Sequence, residues 1–300
     1  MIKRILTALV LIPLVLLLIL RAPGTVLAAV AGIVALLAIR EFLALTRHYG
    51  VEPFTVATYI LTAAFFVLVT VLAQRSGDSL RIRPLLMILF AGLVAAVAPF
   101  AFLALGMRRG ALSSTYPAAA ASVFAFTYIA IPMAMLVATR QMRIGEFHVI
   151  YLMLVVWSGD IFAYFVGKSI GRHKMAPRVS PKKTWEGAAA SLVASVVVGT
   201  LFYRYALPIN LWLRNFHILG ADAYAWGYSE LARWQVVLLS VAVNIAAQLG
   251  DLVESVIKRG ADVKDSGAIL PGHGGMLDRI DAMLFAAPVL WVLLIWQARS

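Results

Sequence analysis

The sequence contains no cysteine and few charged residues. Because there is no thiol, disulfide bonds, zinc–thiolate centres and cysteine nucleophiles are all excluded. Only 13% of the 300 residues are charged, whereas a soluble domain typically carries about 25%. The hydrophobic share is 62% and the mean hydropathy is +0.91. This composition excludes an ordinary soluble domain and is typical of a membrane protein with several spans.

Apolar segments recur along the chain, each long enough to cross the roughly 30 Å hydrocarbon core of a bilayer. We predict nine spans, at residues 5–21, 24–46, 56–74, 85–106, 117–139, 147–168, 186–206, 235–257 and 281–298. The first span follows Lys3 and Arg4, as in a signal peptide, but apolar sequence resumes soon after it, so we interpret it as a membrane helix. The predicted fold class is all-α, a polytopic integral membrane protein.

We expect residues 1–300 to form a single integral membrane domain. Residues 1–140 contain little chemistry and are predicted to be scaffold helices. Residues 147–281 carry the candidate catalytic helices and loops, and residues 281–298 form the last membrane helix. The stretch 207–234 is rich in aromatic residues; it is either an interfacial connection or a short extra helix.

Basic residues are unevenly distributed between the two sides that nine spans define. When each is counted with its nearest loop, 16 of the 26 lie with the N-terminus and the loops after spans 2, 4, 6 and 8. The positive-inside rule places that side in the cytoplasm. The net charge of +12 sits in short loops between spans, which favours anionic lipid and nucleotide over nucleic acid as partners.

Residues 255–281 differ from the rest of the chain, since eight charged side chains fall within 27 residues. The helix that enters this region carries a polar stripe with spacings of 4, 3, 4 and 3, which places its members on one side of an α-helix. The stripe consists of Asn244, Gln248, Asp251, Ser255 and Lys258. Carboxylate and amide groups are costly in lipid, so the stripe is expected to face protein or water. We predict a polar cleft open to the cytoplasm.

The region resembles the signature of the phosphatidate cytidylyltransferases (CDP-diacylglycerol synthases). That signature is Ser-x-apolar-Lys-Arg, four residues, Lys-Asp, then Pro-x-His-Gly-Gly and Asp-Arg-x-Asp. Its elements occur here in order and spacing as Ser255, Lys258-Arg259, Lys264-Asp265, Pro271, His273-Gly274-Gly275, Asp278-Arg279 and Asp281. A lone His-Gly-Gly would mean nothing, but the whole match is highly specific. We call residues 255–281 the signature segment.

The resemblance implies an enzyme of phospholipid biosynthesis in the cytoplasmic (inner) membrane. It would use CTP and phosphatidate as substrates, with Mg²⁺ as cofactor and with room for a second cation. The resemblance also suggests a homodimer. A CTP-dependent lipid kinase and a CDP-archaeol-type synthase remain as related alternatives. A cation-coupled transporter is a less favoured alternative, in which Asp160 and Asp251 line an ion path.

Two carboxylates bracket the loop of the signature segment, and we predict that they bind metal. They are Asp251 and Asp278, with Asp160 and Asp281 as second candidates. The competing interpretation is that acids at the start of the last span cap that helix, and we assign this role to Asp281. Asp160, inside span 6, is either functional or a structural hydrogen-bonding group.

The remaining candidates are phosphate-binding and positioning residues. The cations are Lys258, Arg259, Lys264 and Arg279, for which a solvated basic loop is the alternative. Asp265 is expected to orient Lys264, His273 to donate to a phosphate, and Ser255 to assist metal or phosphate binding. Backbone amides at Gly274 and Gly275 are predicted to approach phosphate.

The loop before span 7 resembles the second typical segment of the same family. We predict phosphate contact by Ser180, Lys182, Lys183 and Thr184, against the alternative of a basic loop that only sets topology. Glu186 is expected to favour the start of the next helix. Arg40 and Glu41, near the end of span 2, are interpreted as a helix-end ion pair or a snorkelling arginine rather than as site residues.

Overall fold

The computed structural model describes residues 2–73, 82–108, 111–219, 226, 231–269 and 274–297. Within them the α-helices are α1 (Ile2–Arg21), α2 (Gly24–His48), α3 (Thr55–Leu72), α4 (Ile82–Gly106), α5 (Thr115–Ala125), α6 (Ile131–Arg140), α7 (Gly145–Ser169), α8 (Trp185–Arg204), α9 (Ala206–Asn215), α10 (Arg233–Gly260) and α11 (Leu277–Gln297). Two short strands, β1 (Lys174–Ala176) and β2 (Ser180–Thr184), lie between α7 and α8.

The helices have the length and hydropathy of membrane spans. Within the described ranges, 8 helices are long and apolar enough to cross a bilayer, counting residues Leu112–Arg140 as one. The first predicted span, 5–21, falls inside α1, whose shorter apolar part is Leu11–Arg21. The all-α, polytopic membrane class is therefore confirmed, and the chain is an integral membrane protein.

The fifth predicted span contains a π-helical turn, Phe126–Ala130, between α5 and α6. Pro132 follows this turn at the start of α6. A proline lacks the backbone N–H and its ring meets the carbonyl of the residue four positions earlier, so a regular α-helix is interrupted there. The wider π turn lets the helix continue to Arg140 instead of ending.

The chain divides into two compact units. The first consists of Met1–Ile12, Pro23–Met142 and Ile257–Ile280, so it includes most of the signature segment. Inside it, α2 and α3 approach closely, since a Cβ on Gly32 would lie only 2.9 Å from the Phe66 side chain. Phe65 packs edge-on against Phe126, with ring centroids 5.2 Å apart. Small residues that admit close helix contact suit packing in lipid, where van der Waals fit dominates.

The second unit consists of Pro13–Ala22, Arg143–Val256 and Asp281–Ser300. Here two members of the polar stripe of α10, Asn244 and Gln248, face α8. Asn244 is 1% exposed, and its Nδ2 donates to the hydroxyls of Ser191 at 2.9 Å and Ser195 at 2.8 Å on α8. Gln248 Nε2 donates to Asn244 Oδ1 at 2.6 Å. The prediction of one domain over residues 1–300 stays a prediction.

The hairpin β1–β2 is the main local departure from the expected loop. The strands are antiparallel, with Lys174 opposite Thr184 and Ala176 opposite Ser180. Thr184 then begins α8 as its N-cap, because its hydroxyl accepts from the Gly187 amide at 3.2 Å. The predicted basic loop before span 7 therefore contains an antiparallel hairpin.

Candidate active site

Asp278, in the first turn of α11, accepts hydrogen bonds from three other residues of the signature segment. Its Oδ1 accepts from Lys258 Nζ, at the end of α10, at 2.6 Å. Its Oδ2 accepts from the backbone amides of Ser266 at 2.9 Å and Gly275 at 2.7 Å. The Lys258 and Asp278 side chains are only 12% and 5% exposed. Hydrogen bonds to a charged group are the strong ones, so this carboxylate fixes both ends of the loop.

Two glycines let the backbone of the signature segment approach these side chains closely. Gly274 has a φ of 79°, in the left-handed region, and a Cβ there would lie 2.6 Å from Asp278 Oδ2. A Cβ on Gly275 would overlap the Glu41 carboxylate and the Ser266 hydroxyl. The amide of Gly275, predicted to bind phosphate, donates to Asp278 in this structure. The predicted phosphate contacts of both glycines stay predictions.

Glu41 of α2 contacts the signature segment, which the sequence analysis did not predict. Its carboxylate is 5% exposed and accepts from the amides of Met276 and Leu277 and from the hydroxyl of Ser266, each at 2.9 Å. The sequence analysis favoured a helix-end ion pair or a snorkelling arginine here and did not predict these contacts with the signature segment. A carboxylate inside an apolar span was the available signal, since such a group needs partners within the protein.

The same contacts correct the role assigned to Asp281. Glu41 accepts from the amides at the start of α11, so it takes the capping role that we expected of Asp281. Asp281 lies further into α11, where its Oδ1 accepts from the Ala282 amide at 2.7 Å.

The other predicted residues of the signature segment lie mostly on its surface. Arg259 donates from Nη1 to the carbonyl of Val263 at 3.0 Å. Lys264, Asp265 and Arg279 are exposed. His273 lies outside the residues that the structure describes. The predicted roles of these residues are neither confirmed nor excluded by their positions.

A second acid–base pair lies in the other compact unit. Lys183 of β2 places its Nζ 2.6 Å from Asp251 Oδ2 on α10, with side chains 26% and 37% exposed. Ser255, one turn after Asp251, donates to Oδ1 at a long 3.5 Å. One of the two predicted lysines before α8 therefore contacts the acid of the polar stripe within this unit. Of the other two hairpin candidates, Ser180 is half-buried and Lys182 exposed.

Thr184 and Glu186 form hydrogen bonds where the hairpin joins α8. Thr184 is 3% exposed and caps α8, so its hydroxyl serves the fold in this structure, and its predicted phosphate contact stays a prediction. Glu186 lies in the first turn of α8, as expected. Its carboxylate accepts from the His173 amide and lies 2.6 Å from His173 Nδ1.

Asp160 lies on α7 and is exposed. The helix α7 contacts α10, since Tyr151 OH lies 2.7 Å from Ser240 Oγ. A Cβ atom on the neighbouring Gly159 would lie 2.6 Å from Asn244 Nδ2, so the two helices approach closely at this glycine. A metal-supporting role for Asp160 stays a prediction.

Comparison with known proteins gives a consistent result. The profile described as "Cytidylyltransferase family" matches residues 2–296. The chain belongs to this cytidylyltransferase family. Proteins named phosphatidate cytidylyltransferase from Staphylococcus haemolyticus and Staphylococcus aureus are 32% and 31% identical to it, over 91% of this chain and 91% of each relative. A Bacillus subtilis protein of the same name is 44% identical over 50% of this chain and 48% of its own length, so the match spans about half of that relative.

The carboxylates of this cytidylyltransferase can be compared with what a magnesium ion requires. Among the described residues, no three or more His, Asp and Glu side chains form a group able to hold a metal ion. Mg²⁺ commonly takes only one or two protein carboxylates and fills its other positions with phosphate and water oxygens. Asp251 fits this requirement, because its carboxylate belongs to a side chain that is 37% exposed. Asp278 has suitable oxygens, but Lys258 and two amides occupy them here.

Proposed function

We propose that the protein transfers the cytidylyl group of CTP to phosphatidate, giving CDP-diacylglycerol and pyrophosphate. The observation that carries the proposal is the signature segment, with its buried Lys258–Asp278 pair, in a chain that belongs to the cytidylyltransferase family. The names of the relatives support the same substrates.

The proposed reaction is a substitution at phosphorus. A phosphate oxygen of phosphatidate attacks the α-phosphorus of CTP, and a new P–O bond forms. The bond from the α-phosphorus to the bridging oxygen breaks, and pyrophosphate leaves with the electron pair. The nucleophile is already an anion, so the difficulty lies in charge repulsion and alignment rather than in deprotonation.

The cationic side chains are proposed to offset that repulsion. Lys258 and Lys183 are already held beside carboxylates, so their ammonium groups are oriented before substrate binds. Arg259, Lys264 and Arg279 are proposed to bind the phosphates with them, together with Ser180, Lys182 and His273. When bound, Mg²⁺ would polarise phosphate oxygens and neutralise charge on the leaving group. The residues proposed to hold it are Asp251 and Asp278, with Asp160 and Asp281 as second candidates.

The site is proposed to face the cytoplasm from the inner membrane. The excess of basic residues on one side of the predicted topology supports this orientation, and CTP would be available there. A homodimer is proposed on the family resemblance alone.

The test is an assay of purified protein in lipid nanodiscs with Mg²⁺, CTP labelled in its base, and one acceptor lipid at a time. Phosphatidate should yield a labelled CDP-lipid. An unsaturated archaetidic acid, which is an ether lipid, serves as the alternative acceptor. Base-labelled product from the ether lipid alone would replace the proposal by a CDP-archaeol-type synthase, and no labelled lipid from any acceptor would contradict it.

A further inference from the structure

One carboxylate on α2 holds the distant end of the signature segment. Glu41 accepts from Ser266 Oγ, Met276 N and Leu277 N, which lie 225 to 236 residues further along the chain. The first amides of a helix have no partner inside that helix and must find one elsewhere. At α11 this partner comes from α2.

The loop is shaped to admit this carboxylate. Cβ atoms on Gly267 and Gly275 would both collide with Glu41, so glycine at these two positions lets the backbone close around it. The contact therefore depends on the acid of α2 and on the glycines of the loop. A shorter or displaced acid would leave the amides of Met276 and Leu277 without a hydrogen-bond acceptor.

Ser266 connects Glu41 to the candidate catalytic groups. Its hydroxyl donates to Glu41, while its amide donates to Asp278. Asp278 in turn accepts from Lys258. A second contact comes from Tyr49, the residue directly after α2, whose OH donates to the carbonyl of Ile257 at the other end of the segment at 2.6 Å. Glu41 and Tyr49 thus contact the segment near its two ends.

We propose that Glu41 is a positioning residue for the reaction. It fixes Ser266 and the start of α11, and through them it sets the geometry of Asp278 and Lys258, without touching substrate. The proposal rests on the proposed function only for its kinetic consequence. Its structural consequence, an ordered loop in the absence of substrate, can be measured separately.

The test replaces Glu41 by glutamine, which has nearly the same shape but only one acceptor oxygen. Glu52→Gln is the matched control, since the Glu52 side chain lies just beyond α2 and is 73% exposed. Hydrogen–deuterium exchange at the amides of Met276 and Leu277 is read at single-residue level in substrate-free nanodiscs. Faster exchange is expected in Glu41→Gln, and wild-type exchange in Glu52→Gln. Wild-type exchange in a folded Glu41→Gln protein would overturn the proposal.

The kinetic arm uses the folded fraction of each variant. Loss of hydrogen bonds to a charged group should lower kcat about ten- to a hundredfold, with the KM for CTP changed less. Glu41→Gln and Ser266→Ala should be less than additive, because both act through one contact. Full additivity, or an unchanged kcat, would contradict positioning through Ser266. If the wild type makes no CDP-lipid, the proposed function fails, while the exchange result still decides whether Glu41 orders the loop.

Discussion

The two principal carboxylates of the candidate site stand in different surroundings. The Asp251 side chain is 37% exposed; it contacts Lys183 and accepts a long hydrogen bond from Ser255 at 3.5 Å. Asp278 is 5% exposed and accepts from Lys258 and two backbone amides. A partly exposed pair contributes little to stability, whereas removing one member of a buried pair leaves a costly charge. Replacement of Asp251 is therefore expected to change the stability of the fold little, and replacement of Asp278 to lower it.

We predict that Asp251→Asn and Asp278→Asn both lose about a hundredfold or more in turnover, but differ in stability. Asp251→Asn should unfold at nearly the wild-type temperature. Asp278→Asn should lose roughly 2–3 kcal/mol of unfolding free energy, because the largely buried Lys258 ammonium loses the carboxylate beside it. Turnover and thermal unfolding are measured on the same nanodisc preparation.

Asp262→Asn is the matched control for both variants. Asp262 is an exposed residue of the signature segment with a φ of 56°, a conformation that asparagine also adopts. It should retain wild-type turnover and stability. Near wild-type turnover in Asp251→Asn would remove that residue from the proposed metal ligands.

The sequence identified single candidate residues but not the groups that they contact. The spacing of the signature segment identified Asp278 and Lys258, but it did not indicate that they form a buried pair. The position of Glu41 in an apolar span indicated that it needs partners, but those partners could not be predicted, because they are mainly backbone amides more than 220 residues away. Backbone amides are present at almost every residue, so sequence spacing carries no record of which of them an acid will meet.

In the hairpin β1–β2, two adjacent lysines have different surroundings, although the sequence analysis predicted the same role for both. Successive side chains of a strand point to opposite faces. Lys183 contacts Asp251, while Lys182 is exposed. The sequence indicated a basic loop here, since a five-residue strand of Ser, Pro, Lys and Thr has no apolar alternation from which pairing could be predicted.

We predict that Lys183→Ala weakens CTP use more than Lys182→Ala does. Removal of Lys183 takes away both a proposed phosphate contact and the partner of Asp251. A five- to tenfold larger loss in kcat/KM, on the order of 1 kcal/mol, is expected for Lys183→Ala, measured as initial rates over a CTP series. Equal losses in the two variants would show that the contact with Asp251 has no kinetic importance. Unchanged kinetics in both would leave these lysines a topological role only.

The membrane class of the whole chain followed from hydropathy, because every span must be apolar whatever it packs against. The polar stripe of α10 was also predictable, since its spacing is that of one helix face. The π turn in the fifth span and the division into two compact units depend on packing between distant segments, which hydropathy does not record.

The predicted orientation can be tested because the chain has no cysteine of its own. Single cysteines at the exposed positions Lys174, Ala268 and Asn215 provide labelling sites. In inverted vesicles a membrane-impermeant maleimide should label positions 174 and 268, whereas in intact spheroplasts it should label position 215. Labelling of position 174 or 268 from the outside would contradict a cytoplasmic site. Each variant is first checked for turnover, so that only native protein is scored.

The most direct test of the central claim follows two labels of CTP into product. Purified protein receives phosphatidate, Mg²⁺ and CTP labelled either in the base or in the γ-phosphate. A cytidylyltransferase should carry the base label into the lipid and leave the γ label in aqueous pyrophosphate, and Asp251→Asn should abolish both transfers. A γ label in the lipid with the base left in water, as a CTP-dependent lipid kinase would give with a suitable acceptor, would contradict the account.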